Sequence, residues 1–180
     1  MSNNNQNLKE AFEKYQILKR TAYKDTHRLF HGNIPGVNTS RMQITTLNRQ
    51  CVREIIDTWN PVLNWQAVLK SKNNHKPRNF DVAIYLEDKL CAAAFGRVSK
   101  SNSHVRLDYL ERNRDLDQLK GYVLNIVVAT AVSYASHLRK HQVRITCPDL
   151  GLREWFERFA DGFQEANCHF PKNYFYLNLD

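Results

Sequence analysis

The sequence predicts a mixed α/β (α+β) fold: a mostly antiparallel central sheet with helices on both faces, preceded by an extra N-terminal helix. Three observations predict it. Alternating apolar residues mark three successive strands between short turns, beginning at Phe80. The most apolar helical segment, Tyr122 to about Lys140, follows directly. A strand–helix–strand pattern then completes the chain, and this order of elements is typical of a mixed sheet covered on both faces.

The first 36 residues are predicted to be a helical extension with a linker, and residues 37–180 to be one domain. Residues 1–7 are polar and are expected to be disordered. From Leu8 to about Phe30, apolar residues recur every three to five positions, which predicts an amphipathic helix before the linker HGNIPG. We favour packing of this helix on its own domain. The alternative is a contact with a partner or with a second copy in a homodimer.

Two helices are predicted after a short strand at Met42 to Leu47. Asn48 is expected to cap the first helix, which must end before Pro61. The second is expected from Leu63 to about Lys70. Residues 71–79, SKNNHKPRN, are predicted to be a basic polar loop, either solvated or part of a substrate rim.

The remaining elements form the predicted meander and the C-terminal part of the domain. They are strands at Phe80–Leu86, at Leu90–Val98 and from Val105, the central helix, a strand around Val143–Cys147, a helix over residues 149–163 opened by Asp149, and a last strand at Tyr174–Leu179.

The net charge of +8 favours an anionic partner, such as nucleic acid, a phosphate-rich cofactor or an acidic surface. A solvated basic surface is the alternative, and the scattered placement of lysines and arginines weakens the nucleic-acid interpretation. The four cysteines are far apart with no CxxC spacing, which is typical of buried, reduced thiols in a cytosolic protein. Since no secretory signal and no membrane-length apolar run is present, we expect a cytoplasmic protein.

A strand that leads through a glycine-bearing loop into a helix forms an anion site, because the N–H groups of the first helical turn have no intrahelical partner. Gly121 stands in such a loop before the central helix. We expect the pyrophosphate of a cofactor there. Lys120 lies inside the loop and can add a charge-assisted contact to a phosphate.

Two segments resemble the GNAT superfamily, the acyl-CoA-dependent N-acyltransferases, and the resemblance covers about Met42 to Asp180. The first segment is similar to the start of the family's Q/R-x-x-G-x-G/A loop and comprises Gln118, Leu119, Lys120, Gly121, Tyr122 and Val123. The second, residues 152–163, is similar to the family's helix that ends in Gly-Phe. The resemblance implies that acetyl-CoA, or another acyl-CoA, binds to the backbone amides of residues 118–123. It also implies acyl transfer to an amine of a small molecule, a protein or an aminoacyl-tRNA.

The sequence departs from the family pattern at three places. Val123 stands where the family has Gly or Ala, so its side chain could crowd the pyrophosphate. Ala160 and Asp161 lengthen the second segment. Phe156 stands where the family often has a tyrosine that protonates the departing thiolate. These departures support an alternative function, a catalytically silent domain of the same fold that binds protein or nucleic acid.

Acyl transfer to an amine needs a base, donors for the oxyanion and a route for the thiolate to leave. Asp108 and Glu111 are the candidate bases, and in a regular strand they face opposite ways. We prefer Glu111, at the strand end, with Leu107 and Tyr109 on its face. The alternative for Glu111 is a surface salt bridge with its arginine neighbours.

Other candidate groups for the site are an oxyanion donor, a proton donor and a pair of histidines. The resemblance implies a backbone N–H near Leu110 or Glu111 as the oxyanion donor. Tyr174 is a candidate proton donor, with Tyr109 and Tyr176 as alternatives. His137 and His141 have the i, i+4 spacing of metal ligands, but no third ligand is evident, and no metal is expected.

Overall fold

The computed structural model of the protein describes residues 2–74, 77–146, 163–166 and 174–179. Its helices are α1 (Ser2–Phe30), α2 (Arg49–Thr58), α3 (Trp65–Asn74) and α4 (Val123–His137), with a short 3-10 helix at Thr39–Arg41. Its strands are β1 (Met42–Thr45), β2 (Asn79–Leu86), β3 (Lys89–Val98), β4 (His104–Arg112), β5 (Gln142–Thr146), β6 (Phe163–Ala166) and β7 (Tyr174–Asn178).

The seven strands form one sheet in the order β1-β2-β3-β4-β5-β7-β6. Neighbouring strands are antiparallel except β4 and β5, which are parallel. Apolar side chains of α2 and α3 cover one face over β2 and β3, and those of α1 and α4 cover the other. We call these the α2–α3 face and the α1–α4 face. The predicted fold class is confirmed.

Local sequence signals account for α2. The side chain of Asn48 accepts a hydrogen bond from the N–H of Cys51 at 2.8 Å, so it caps the helix as predicted. Cys51, Val52 and Ile55 are buried on one side of the helix. The helix ends at Thr58, ahead of Pro61.

Three predictions about individual segments are wrong. The segment 71–79 is not all loop, because α3 continues to Asn74 and Lys72 is buried against the carboxylate of Asp81 at 2.8 Å. Residues 1–7 were expected to be disordered, but α1 begins at Ser2, since no Gly or Pro interrupts the helix there. Phe163 was expected to end a helix, yet it opens β6, which pairs with β7 through contacts that local periodicity does not encode. The predicted helix before it, with Phe156, lies outside the described residues.

Helix α1 packs on its own domain, as favoured from the sequence. Ala22 and Tyr23 are buried in the same core as α4 and the sheet. Asp25 connects α1 to α4. Its carboxylate accepts a hydrogen bond from Ser133 at 3.1 Å and lies 2.7 Å from the Nε2 atom of His137. None of the helices in the described part of the chain combines the length and hydropathy needed to cross a bilayer.

Candidate functional site

Strands β4 and β5 diverge in the middle of the sheet. They pair only from His104 with Gln142 to Leu107 with Ile145. Strand β4 continues to Arg112, whereas β5 is described only to Thr146. Within the described part of the chain, residues 108–112 therefore have β3 on one side and no strand on the other. Among these described residues, the strands leave a gap whose wall includes backbone groups of β4 that pair with no other strand.

A β-bulge in β4 determines which side chains line the gap. Phe95 pairs with Tyr109 but Gly96 pairs with Leu107, so Asp108 is the extra residue. A Cβ atom on Gly96 would lie 1.8 Å from the carbonyl oxygen of Arg106, and only glycine permits this approach of the two strands.

The bulge overturns the predicted alternation along β4. Leu107 is buried in the core of the α1–α4 face. Tyr109 instead stacks on Phe95, with ring centroids 6.3 Å apart, on the α2–α3 face. Glu111 lies on that same face against Trp65. The expectation that Glu111 shares a face with Leu107 is wrong, because the extra residue shifts the alternation by one position.

Glu111 holds the connection between α2 and α3. Its carboxylate accepts hydrogen bonds from the N–H groups of Val62 at 2.7 Å and Leu63 at 3.3 Å, and from the indole N–H of Trp65 at 2.8 Å. Its contacts are therefore neutral N–H donors rather than the arginine salt bridge considered from the sequence. Since a carboxylate offers about four lone-pair sites, about one site stays free.

Asp108 differs from Glu111 in having cationic partners. The guanidinium group of Arg106 contacts both of its oxygens, at 2.5 and 3.1 Å. Arg97 lies 3.4 Å away, and the hydroxyl of Thr146 donates to it at 3.1 Å. Two of these contacts, from Nη2 of Arg106 and from the hydroxyl of Thr146, are hydrogen bonds, and the other two are ion pairs with Arg106 and Arg97. Asp108 therefore acts as a junction between β3, β4 and β5.

Tyr174 lies beside this junction. It is the first residue of β7 and pairs with Thr146 at the end of β5. The guanidinium of Arg144 lies 4.8 Å from the centroid of its ring. The structure thus brings Asp108 and Tyr174 together through Thr146, and it places Glu111 separately, against α3.

The surroundings of the junction are electropositive. Burial, followed by the guanidinium groups of Arg144 and Arg106, lowers the pKa of His104 from 6.5 to about 4. Asp108 opposes this effect only in part. Sequence reasoning placed Arg106 on the face of Asp108 but missed Arg97, although a turn at residues 99–103 brings positions 97 and 106 opposite each other.

The loop before α4 and the first residues of α4, together residues 118–125, have the features of an anion site, and we call this segment the cofactor loop. Gly121 adopts a φ of +85°, and a Cβ atom there would meet nothing within 4 Å. The N–H of Val123 donates to the carbonyl of Leu119 at 3.2 Å. In the part of the chain that the structure describes, the N–H groups of Leu124 and Asn125 have no backbone acceptor.

The side chains of the cofactor loop are compatible with a bound pyrophosphate. Gln118 and Lys120 are exposed, while Leu119 is buried. Val123 is 7 % exposed and packs in the core, so its side chain points away from the open side of the loop. Among the described residues, the buried Oδ1 atom of Asn125 has no hydrogen-bond partner. Free N–H donors, an exposed lysine and open space fit an anionic group.

His137 and His141 do not share a helix, because α4 ends at His137 and His141 lies directly before β5. His137 contacts Asp25. Searching the residues that the structure describes finds no group of three or more His, Cys, Asp or Glu side chains able to hold a metal ion.

The sequence matches no protein-family model and no curated protein. Solved structures do match. A GNAT-family acetyltransferase from Staphylococcus aureus is 12% identical, with a TM-score of 0.57 over 77% of this chain and 99% of that one. The ribosomal-protein-S18-alanine N-acetyltransferase of Escherichia coli is 11% identical, with a TM-score of 0.55 over 76% and 93%.

A spermidine/spermine N-acetyltransferase from Vibrio cholerae is also similar, with 11% identity and a TM-score of 0.55 over 77% of this chain and 93% of that one. At such identities the likeness concerns the backbone arrangement. Together with the sheet order and the divergence of β4 from β5, it shows that this chain has the GNAT fold.

Proposed function

We propose that the protein is an N-acyltransferase that moves an acetyl or other acyl group from acyl-CoA to a primary amine, which attacks the thioester directly. The observation that carries the proposal is the gap between β4 and β5 beside an exposed loop with unpaired N–H groups. This arrangement offers a phosphate site and a free strand edge side by side. Acetyltransferases with the same fold support the same chemistry.

The cofactor loop would hold the donor through its backbone. The N–H groups of Leu124 and Asn125, with the ammonium group of Lys120, would bind the pyrophosphate. When bound, acyl-CoA supplies a thioester whose carbonyl carbon is open to attack. The unpaired edge of β4 at Leu110 would direct a backbone N–H at the oxyanion, where a preorganised donor acts most strongly.

Glu111 is the better of the two candidate bases, because its partners are uncharged. Its carboxylate accepts three N–H bonds and keeps about one lone pair for the amine proton, whereas Asp108 is held by the guanidinium groups of Arg106 and Arg97. Glu111 also lies against the α2–α3 connection, so the same residue would position the wall of the acceptor site and accept the proton.

Tyr174 is the proposed proton donor to the departing thiolate. It stands at the end of β5, where the two parallel strands have diverged. A variant with phenylalanine at this position keeps the ring against Arg144 and removes only the hydroxyl. We expect it to slow the acyl-transfer step by about 10²-fold if this hydroxyl is the donor.

Donor binding is tested by thermal unfolding with and without millimolar acetyl-CoA, followed by a longer acyl-CoA. A ligand at about 100 times its dissociation constant stabilises the protein by about 2.7 kcal/mol. Gly121→Glu should abolish the shift, because it adds an anion to the cofactor loop. Gly36→Glu is a matched control, since Gly36 also has a positive φ and open space around its Cβ position. An acetyl-CoA shift that is equal in both variants would argue against the cofactor loop.

The proposed base is tested with Glu111→Gln, and Glu13→Gln on α1 serves as the control. We expect kcat to fall by about 10²- to 10⁴-fold near neutral pH. If Glu111 accepts the proton, raising the pH until the free amine predominates should restore much of the rate. If it only positions the α2–α3 connection, the loss should be independent of pH.

Acceptor amines should be compared in one panel. The similar structures act, by their names, on an alanine of a ribosomal protein and on spermidine or spermine. A peptide amino terminus, spermidine and an aminoacyl-tRNA are therefore the first amines to test with this protein. Binding of acyl-CoA without turnover of any amine would favour the second candidate function, a catalytically silent binding domain. The several hydrogen bonds and ion pairs that Glu111 and Asp108 already make also favour that function.

A further inference from the structure

A basic cleft of about 620 Å³ lies between α1 and β1. Its cationic lining residues come from α1, and its polar residues Gln43 and Thr45 come from β1. Strand β1 is the first in the sheet and β4 the fourth. Since neighbouring strands are about 4.8 Å apart, the cleft is about 14 Å from the β4–β5 gap. It is therefore a separate site, and ligand binding in it does not depend on the proposed acyl transfer.

The cations of the cleft form a stripe along α1. Arg20, Lys24 and Arg28 follow one another at intervals of four residues, about 6 Å along the helix axis, and His27 adds an imidazole. Like charges at this spacing repel one another and destabilise a helix. The stripe therefore has an electrostatic cost that a bound anion would offset.

Few groups in the described part of the chain neutralise this stripe. None of the lining residues described there is acidic. Arg28 lies 3.6 Å from Asp25 in an exposed pair. For Arg20 and Lys24, no hydrogen bond or ion pair occurs within the described ranges. Two cations thus face the cleft unpaired, and a third has only a long, solvated contact.

The wall behind the stripe is rigid. Tyr23 and Thr46 both line the cleft. The hydroxyl of Tyr23 donates to the backbone carbonyl of Asp81, and the hydroxyl of Thr46 donates to its carboxylate. That carboxylate is itself fixed by Lys19 at 2.7 Å and Lys72 at 2.8 Å. A cleft whose wall is held by buried ion pairs loses little conformational entropy when a ligand binds.

The shape and the lining point to the chemistry of the ligand. The volume is in the range of small-molecule sites. The tyrosine ring that lines the cleft is 7 % exposed, which leaves no aromatic face of Tyr, Phe or Trp on which bases could stack, so single-stranded nucleic acid fits poorly. We propose that this cleft binds a small polyanion that carries two or more phosphate groups.

The test is titration calorimetry with sodium tripolyphosphate at fixed ionic strength. The protein should carry Gly121→Glu throughout, because the free N–H groups of the cofactor loop could also take the probe. We expect one site, and at least tenfold weaker binding in Arg20→Gln/Lys24→Gln, because each charge-assisted bond contributes more than about 1.4 kcal/mol. Lys9→Gln/Lys14→Gln, with the same change of charge on the same helix, should bind within about twofold of the parent.

The remaining arms identify the source of the phosphates. ATP that binds more tightly than tripolyphosphate indicates a nucleotide, and equal affinity indicates that the phosphate groups alone are recognised. Equal binding of tripolyphosphate by the cleft variant and the control variant would overturn the proposal. So would an oligothymidylate that binds more tightly than tripolyphosphate and is weakened by the same pair of substitutions. All four substitutions are at exposed positions, and equal urea midpoints would establish that the variants fold.

Discussion

The carboxylates of Asp81 and Glu111 each accept several hydrogen bonds, but the donor groups differ in charge. Asp81 is fully buried between two lysines and also accepts the N–H of Leu47 at 2.8 Å. Glu111 is partly exposed and bonds only to neutral N–H groups. The first carboxylate ties α1 and α3 to β2, and the second ties the α2–α3 connection to β4.

The difference separates a structural carboxylate from one that can take part in chemistry. Burial raises the pKa of Asp81, but Lys19 and Lys72 outweigh it and lower that pKa from 3.8 to about 2. Asp81 is therefore ionised at neutral pH. Glu111 has no cationic partner among the described residues and keeps a free lone pair beside the gap.

The largest effect is expected from Asp81→Asn. It removes the carboxylate charge that Lys19 and Lys72 share, and breaking such a buried network costs about 3–5 kcal/mol. Urea unfolding at neutral pH measures the loss. Asp88→Asn is the control, because Asp88 is exposed and 3.8 Å from Arg41, and it should change stability by less than about 1 kcal/mol. Equal urea midpoints for the two variants would contradict the assignment of Asp81 as the residue that holds α1 and α3 on β2.

Acid should weaken the same network by about 2 kcal/mol. The folded pKa of Asp81 is below its unfolded value, so its contribution is complete above about pH 4 and is lost as the pH falls through about 2. The difference in unfolding free energy between the wild type and Asp81→Asn should therefore decrease as the pH falls from about 4 to about 2. A difference that stays constant from pH 5 to pH 2 would show that the two lysines do not stabilise the ionised form.

A smaller effect on stability is expected from Glu111→Gln. The substitution disturbs N–H bonds at the start of α3, comparable to the loss of a helix cap, and costs about 1 kcal/mol. Its effect on acyl transfer should be far larger than its effect on urea unfolding. A loss of 3 kcal/mol or more in stability would place Glu111 with Asp81 as a structural residue.

The smallest effect is expected from Asp25→Asn. The bond to His137 lowers the pKa of this exposed carboxylate, with Ser133 adding to the effect. Because the pair is solvated, its contribution to stability should be no more than about 1 kcal/mol and should weaken with salt. Urea midpoints at low and high ionic strength measure it, and a salt-independent loss would point to packing rather than charge.

Local signals in the sequence were enough for the fold. The alternation from Phe80 onward encodes burial on two faces of a strand, and Asn48 encodes the start of α2, because both depend on residues a few positions apart. Gly121 before an apolar helix was likewise enough to locate the loop, and the structure added that Gly121 has a positive φ.

The sequence by itself therefore determined the order of the elements from β1 to β5, the place of the loop before α4 and the choice of Glu111, Asp108 and Tyr174 as candidate residues. The tertiary structure decided their surroundings. The bulge at Asp108 depends on Gly96 in the neighbouring strand, the partners of Glu111 are 46 to 49 positions away, and the partner of Asp81 in α1 is 62 positions away. Periodicity records which side of an element is buried, but the charges and N–H groups that meet there are brought together only by packing.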